Sequence, residues 1–305
     1  MKWQFRFIKN ALFGILPFPY HLRKIKRKFF PYNLAINEWT LELGIRQVEM
    51  LESVHCPVRD KTILEIGTGW QPVLPLLFSI AGGKEIITVD IQRLLDRHTL
   101  LETIKGLKGY KDLLSRRLGI PAGRIEEMLN IENMKELSEE AIFNKLNIRY
   151  LAPYDITAGA MPAQSIDIIM SCQVIEHIPL EVIKKINAAS CRILRANGKM
   201  CHIIDNSDHW EHDDKSISRL NYLKFSDFHF GIISNFNPLS FQNRLRHFEY
   251  IELYNQSGFK VDSDKSVVNA EALAALKNLK LDPKYKQVKH EDLAILTSCL
   301  VLSKK

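Results

Sequence analysis

Glu65, Gly67, Gly69 and Asp90 are the residues whose types and spacing speak most directly of chemistry. Thr62-Ile63-Leu64-Glu65-Ile66-Gly67-Thr68-Gly69-Trp70 is a β-branched apolar run that reaches an acid and then breaks into a glycine-x-glycine turn. A buried parallel strand delivers its carboxyl end to a nucleotide in this way, because glycines let backbone approach a ligand closely. Lys84-Glu85-Ile86-Ile87-Thr88-Val89-Asp90 again runs from an apolar strand into a carboxylate. It lies about twenty residues on, where an acid can take both hydroxyls of a ribose. Two strands ending in two acids predict a nucleoside site. A glycine pair alone is also what an ordinary tight turn requires; the strand context and Asp90 favour the site.

Further chemistry-bearing residues follow at other strand ends. Ile148 to Leu151 leads into Tyr154-Asp155-Ile156. An apolar strand from Ser165 to Met170 continues as Ser171-Cys172-Gln173-Val174-Ile175-Glu176-His177-Ile178-Pro179, with Pro179 opening a helix. Gln173, Glu176 and His177 would project from that loop at the carboxyl edge of the sheet. His177 could take a proton from a substrate hydroxyl, since an imidazole titrates near neutral pH; capping the helix or bonding a cofactor are the competing roles. A fifth strand, Lys199 to Asp205, runs into Asn206-Ser207-Asp208-His209-Trp210-Glu211-His212. His202, Asp205, Asp208, His209 and His212, with Glu176 and His177, are metal-ligand types. Residues 202 and 205 face opposite sides of a strand, so the reading prefers a polar acceptor pocket and assigns no metal. There Asp205, Asp208 and His209 would bind hydroxyls or serve as an alternative base.

The periodicities supply elements to hold these groups. Leu41, Leu43, Ile45, Val48, Met50, Leu51 and Val54 predict a helix over 38–56, and a second over 72–81 stops at Gly82-Gly83. A third spans 94–107. Residues 108–147 are too long for an ordinary crossover and read as a helical insertion, either a lid or a packing layer. A helix over 179–195 ends at Arg195-Ala196-Asn197-Gly198, and Glu249 to Ser257 forms another before Gly258-Phe259 opens a sixth strand. Leu293 to Ser303 supplies the final strand, read as antiparallel.

The first and fourth strands carry a resemblance. Glu65-Ile66-Gly67-Thr68-Gly69, Asp90 at the second strand end, and Val174-Ile175-Glu176-His177-Ile178-Pro179 resemble the class I S-adenosylmethionine-dependent methyltransferases. The resemblance covers about residues 40–110 and 148–303. It implies a Rossmann-like α/β fold: a seven-stranded, mostly parallel sheet with an antiparallel last strand and helices on both faces. It also implies S-adenosyl-L-methionine as cofactor, with Glu65, Gly67, Thr68 and Gly69 around its methionine part and Asp90 with Ile91 at the ribose. Asp155 and Ile156 would lie near the adenine amino group, although an Asp capping a surface turn is the simpler account of Asp155. Gln173 completes the cofactor set, and His177, Asp205 and His209 are the catalytic candidates. The pattern's third glycine is Gln71 here, so the loop is bulkier. A nicotinamide dehydrogenase fits less well, because Pro72 stands where its third glycine packs helix on strand.

The implied activity is direct methyl transfer to an oxygen or nitrogen of a small-molecule, saccharide or lipid-linked acceptor. Alternatives are an RNA methyltransferase and an inactive cofactor-binding partner protein. Leu223-Lys224-Phe225-Ser226 through Phe241-Gln242-Asn243-Arg244-Leu245-Arg246-His247 resembles the substrate side of a bacterial branch of these enzymes. Arg244 and Arg246 could clamp an acceptor phosphate or carboxylate, or be solvated helix charges.

Composition suits an enzyme with a full core: 305 residues, 46% hydrophobic and 25% charged, with no apolar run long enough to span a bilayer. Five cysteines without a C-x-x-C pair suit reduced thiols and a cytoplasmic setting. Residues 1–30 hold eight cations and no acid against a whole-chain net charge of +7, so the rest is nearly neutral. Aromatic and aliphatic residues interleave with those cations. Residues 1–36 therefore read as a basic amphipathic arm preceding one domain over 37–305, suited to an anionic membrane surface. A helix on the protein's own body competes with that reading, and nucleic acid fits poorly.

Overall fold

The computed structural model describes residues 34–235 and 241–305, with Lys2, Phe5 and Ile8 besides. The membrane-surface reading of residues 1–30 lies outside the described residues. Seven strands make one sheet: β1 (Thr62–Ile66), β2 (Glu85–Val89), β3 (Ile148–Leu151), β4 (Ile166–Cys172), β5 (Leu194–Asp205), β6 (Phe259–Asp264) and β7 (Thr297–Lys304). Their order is β3-β2-β1-β4-β5-β7-β6, with β7 antiparallel to both neighbours. This is the expected seven-stranded α/β sheet. The chain moves from β1 outward to β2 and β3, then returns to place β4 on the other side of β1. Crevices outside the carboxyl ends of strands at such a reversal are where open α/β sheets bind ligands.

Alternation along the strands feeds two cores. Ile63, Ile86, Ile148, Ile168, Met170 and Ile203 face one layer. Leu64, Ile87, Ile169, Met200 and Ile204 face the other. The first layer is built by α1 (Glu38–Ser53), α2 (Val73–Ile80) and α3 (Arg97–Lys108). Asn37 caps α1 by accepting the Trp39 N–H, and Gly44 lets Leu77 of α2 come within the space a Cβ would take. The opposite layer comprises α7 (Leu180–Ile193) and α9 (His247–Gln256).

The 108–147 insertion folds as α4 (Lys111–Leu118), α5 (Ala122–Met128) and α6 (Glu139–Lys145). Leu114, Ile125, Leu129, Ile142 and Phe143 are buried in the same core as α1 to α3, and Arg117 ties α4 to Glu42 and Glu49 of α1. The insertion packs on that layer through these residues. Several boundaries depart from the sequence reading: the last strand opens at Thr297, with Leu293 in a short helix before it, and the third helix opens at Arg97. β4 runs on to Cys172, and α7 stops at Ile193, where β5 already begins. Residues 195–198 ride over a β-bulge instead of forming a helix stop, with Arg195 Nη1 donating to Asp167 Oδ2 at 2.6 Å.

A third core was not expected. Leu220, Tyr222, Leu223 and Phe230 pack with Ala272, Leu276, Tyr285, Leu293 and Leu296. They come from the segment after β5, which holds α8 (Asp227–Asn235), and from the segment between β6 and β7, which holds α10 (Ala270–Leu276) and α11 (His290–Leu293). No helix among the described residues is long and apolar enough to cross a membrane.

Candidate active site

The turn after β1 and the end of β2 meet. The Gly67 N–H donates to the Val89 carbonyl at 2.8 Å, and the Gly69 N–H to Asp90 Oδ2 at 2.9 Å. Both glycines have left-handed backbone, φ +88° and +66°. Their surroundings differ. A Cβ on Gly67 would stand 2.5 Å from Val174 Cγ2, whereas one on Gly69 would meet no protein atom within 4 Å. Gly67 is thus a packing glycine that seats the β1 turn on the loop after β4, and Gly69 opens onto space at the strand edge.

Glu65 is buried beneath this turn and linked by Thr88 and its hydroxyl to Thr68. Burial pushes its carboxyl up to about 8, with Asp90 adding repulsion against the opposing Thr88 bond. Asp90 is raised too, chiefly by desolvation, while the N–H groups of Gln92, Gly69 and Ile91 hold it down. A carboxyl raised in the fold stays protonated there when the unfolded chain has lost its proton. The contribution of Glu65 to stability is therefore fullest below its ordinary 4.5 and declines as pH rises toward about 8. Glu65→Gln, neutral and nearly isosteric, should remove this slope: melting temperatures of the wild type relative to the variant should fall from pH 5 to pH 8. Parallel curves would show that Glu65 titrates normally.

The remaining expected cofactor residues surround the same edge. Ile91 is exposed, Gln173 is half-buried with φ +54°, and the Gln173 N–H donates to the Ile203 carbonyl. Asp155 spends its carboxylate on the Thr157 N–H and hydroxyl, capping a short turn, and Ile156 is buried in the second core. Ile156 therefore faces the protein interior. The Tyr154 N–H bonds the Asp90 carbonyl, which brings that turn beside β2.

On the β4 side, His177 opens to solvent at its outer edge. Its Nδ1 lies 2.8 Å from the Phe241 carbonyl, and a carbonyl only accepts, so Nδ1 carries the proton and Nε2 keeps its lone pair. Desolvation, then repulsion from His209, holds its pKa below the ordinary value. The His177 and His209 ring centres are 4.9 Å apart, and His209 stacks on His212 at 5.0 Å. Asp205 Oδ2 is 3.4 Å from His209 Nε2; against the cost of burial, the neighbouring His209 ring and bonding from Ser207 bring this carboxyl down to about 2. Glu176 is fully buried, and among the described residues neither of its carboxyl oxygens has a hydrogen-bond partner. His202 is turned away: it bonds Ser171 and stacks on Tyr254.

Three expectations on the acceptor side are corrected. Asp208 is buried and committed to the Trp210 N–H and Asn221, so it anchors a loop and binds no hydroxyl. Arg244 is neither a clamp nor a solvated charge: it donates to the Tyr222 and Phe225 carbonyls and to Asp227, and lies over the Phe230 ring. Arg246 is fully buried, donating to the Asn206, Leu293 and Ile295 carbonyls and the Tyr222 hydroxyl.

Sequence reasoning places Gln242 and Asn243 within the 241–247 stretch but gives them no role. Asn243 Nδ2 donates to the Ile175 and Ile178 carbonyls at 2.9 Å each, and its N–H to the Glu176 carbonyl. Gln242 Nε2 donates to the Ser207 carbonyl, and its Oε1 accepts from the His209 N–H at 3.5 Å. These neighbours hold the His177 loop and the His209 loop in register. Their partners are loop carbonyls and an N–H, which leave no pattern in a sequence.

No family model and no curated protein matches this sequence. Among solved structures, the PH0226 protein of Pyrococcus horikoshii is similar at 12% identity and a TM-score of 0.49, over 92% of this chain and 98% of that one. An S-adenosylmethionine-dependent methyltransferase from Mesorhizobium loti is similar at 9% identity and 0.46, over 83% and 95%. A TehB-like SAM-dependent methyltransferase from Corynebacterium glutamicum is similar at 12% and 0.40, over 94% and 96%. Likenesses this distant assign no activity, and the fold stands on its own strand order.

Proposed function

We propose that the chain is an S-adenosyl-L-methionine-dependent methyltransferase acting on an oxygen or nitrogen of a small-molecule, saccharide or lipid-linked acceptor. The observation that carries this reading is the Gly69 N–H to Asp90 Oδ2 bond: the two motifs read as halves of one nucleoside site stand in contact where the strand order reverses. The residues fit the group. The turn at Gly69 leaves room where any side chain would intrude, Asp90 keeps acceptor capacity for ribose hydroxyls, and exposed Ile91 offers an apolar wall to a purine. When bound, the cofactor supplies an electrophilic methyl. The chain's own work is alignment and exclusion of water, which such a displacement needs more than a strong base.

His177, with its free Nε2, and the Asp205–His209 pair supply the polar acceptor side. They stand on loops fixed by Asn243 and Gln242. Asp90→Ala should weaken S-adenosylmethionine binding by about 1–3 kcal/mol, the loss of charge-assisted bonds to hydroxyls. Calorimetry of wild type and variant tests this; equal affinities would take Asp90 out of the site and with it the function.

A further inference from the structure

We propose that Glu176, His177 and His209 form a binding site for a divalent first-row transition ion, at the mouth of the acceptor side. One ligand atom from each lies within 4.8 Å of the others. A zinc-like ion holds its ligands at about 2.0–2.2 Å, so small side-chain rotations close the set. Three independent features point to a cation there. Glu176 is 1% exposed, and both its oxygens lack a hydrogen-bond partner among the described residues; a buried carboxyl left so calls for a partner, and a cation between two imidazoles is one that fits. His177 donates Nδ1–H to the Phe241 carbonyl, the outer hydrogen bond by which metal-ligating histidines fix their tautomer and present the other nitrogen. His209 Nε2 is likewise buried without a hydrogen bond, with Asp205 Oδ2 3.4 Å away as a second negative group.

The frame is rigid: Asn243 bonds the backbone on both sides of His177, and Gln242 the backbone of the His209 loop. Two imidazoles and one carboxylate suit manganese, iron, cobalt or zinc better than magnesium or calcium, which prefer oxygen throughout. Three protein ligands leave positions open, and an acceptor oxygen could occupy one. That last role rests on the methyl-transfer reading; the binding of the ion does not.

The test is calorimetric titration of Zn2+ into chelator-treated full-length protein, with Co2+ absorption spectra recorded in parallel. One ion per chain at about micromolar affinity or tighter is expected. Glu176→Gln and His209→Asn should each weaken it more than about 100-fold, beyond what losing an outer partner does. Should either variant fail to fold, the visible Co2+ bands of wild type report nitrogen and oxygen ligation directly. Absence of those bands, or unchanged affinity in folded variants, overturns the site. S-adenosylmethionine titrated into the same metal-free protein separates the two proposals: cofactor binding without any ion binding defeats only this one, and the converse defeats only the proposed function.

Discussion

Arg246→Ala is expected to destabilise the fold by about 3–5 kcal/mol, the combined effect of a large buried cavity and an orphaned carbonyl. Among the described residues Arg246 is the largest fully buried side chain, and no carboxylate bonds its guanidinium. Its fork ties together three stretches at one point. These are the exit of β5 at Asn206, the third core through Tyr222, and the approach to β7 at Leu293 and Ile295. Among the described residues the Leu293 carbonyl accepts from Arg246 alone beyond its own helix, so truncation leaves it bare, whereas the Asn206 and Ile295 carbonyls keep bonds from Tyr222 and Asn206 Nδ2. Arg246→Lys should recover only part of the loss, because one ammonium cannot span both sides of the fork. Urea unfolding checks this; a loss below about 1 kcal/mol for the alanine variant would mean the surroundings collapse onto the gap.

The second large effect separates two glycines that look equivalent on paper. Gly67→Ala should cost about 2–4 kcal/mol of stability, from left-handed backbone strain plus overlap with Val174. Gly69→Ala meets no protein atom and should cost about 1–2 kcal/mol, the strain alone. Its Cβ points into the space proposed for the cofactor, so S-adenosylmethionine affinity should drop more in Gly69→Ala than its stability loss implies. Thermal melts with and without cofactor measure both quantities. If Gly69→Ala binds normally, the space above that turn belongs to some other ligand.

The central strands could be read in advance because parallel strands buried on both faces leave near-continuous apolar runs, as at Ile63–Ile66 and Ile86–Val89, where only Glu65 and Thr88 interrupt. The juxtaposition of Gly69 with Asp90 was legible for the same reason, since both residues sit at strand ends. The third core was not. Its residues come from two stretches about fifty residues apart, in short turns such as Asn221–Lys224 and Pro283–Tyr285 that carry no helical or strand period. Arg244 and Arg246 misled because a sequence shows charge but not the carbonyls that surround it. At Asp155 and Ile156 the strand end gave no hint of the local contacts. The acid caps its own turn, and its neighbour points inward. Glu176 followed the same logic in reverse, since nothing in Val174-Ile175-Glu176-His177 foretells that the acid is enclosed while the imidazole reaches water.

β7 lies between β5 and β6 yet follows both in the chain. During translation β5 therefore leaves the ribosome with one edge unpaired, and β6 has no neighbour to join until the final segment arrives and hydrogen bonds to both. Open edges of this kind recruit other strands, so both edges stay open to wrong partners until β7 pairs with them.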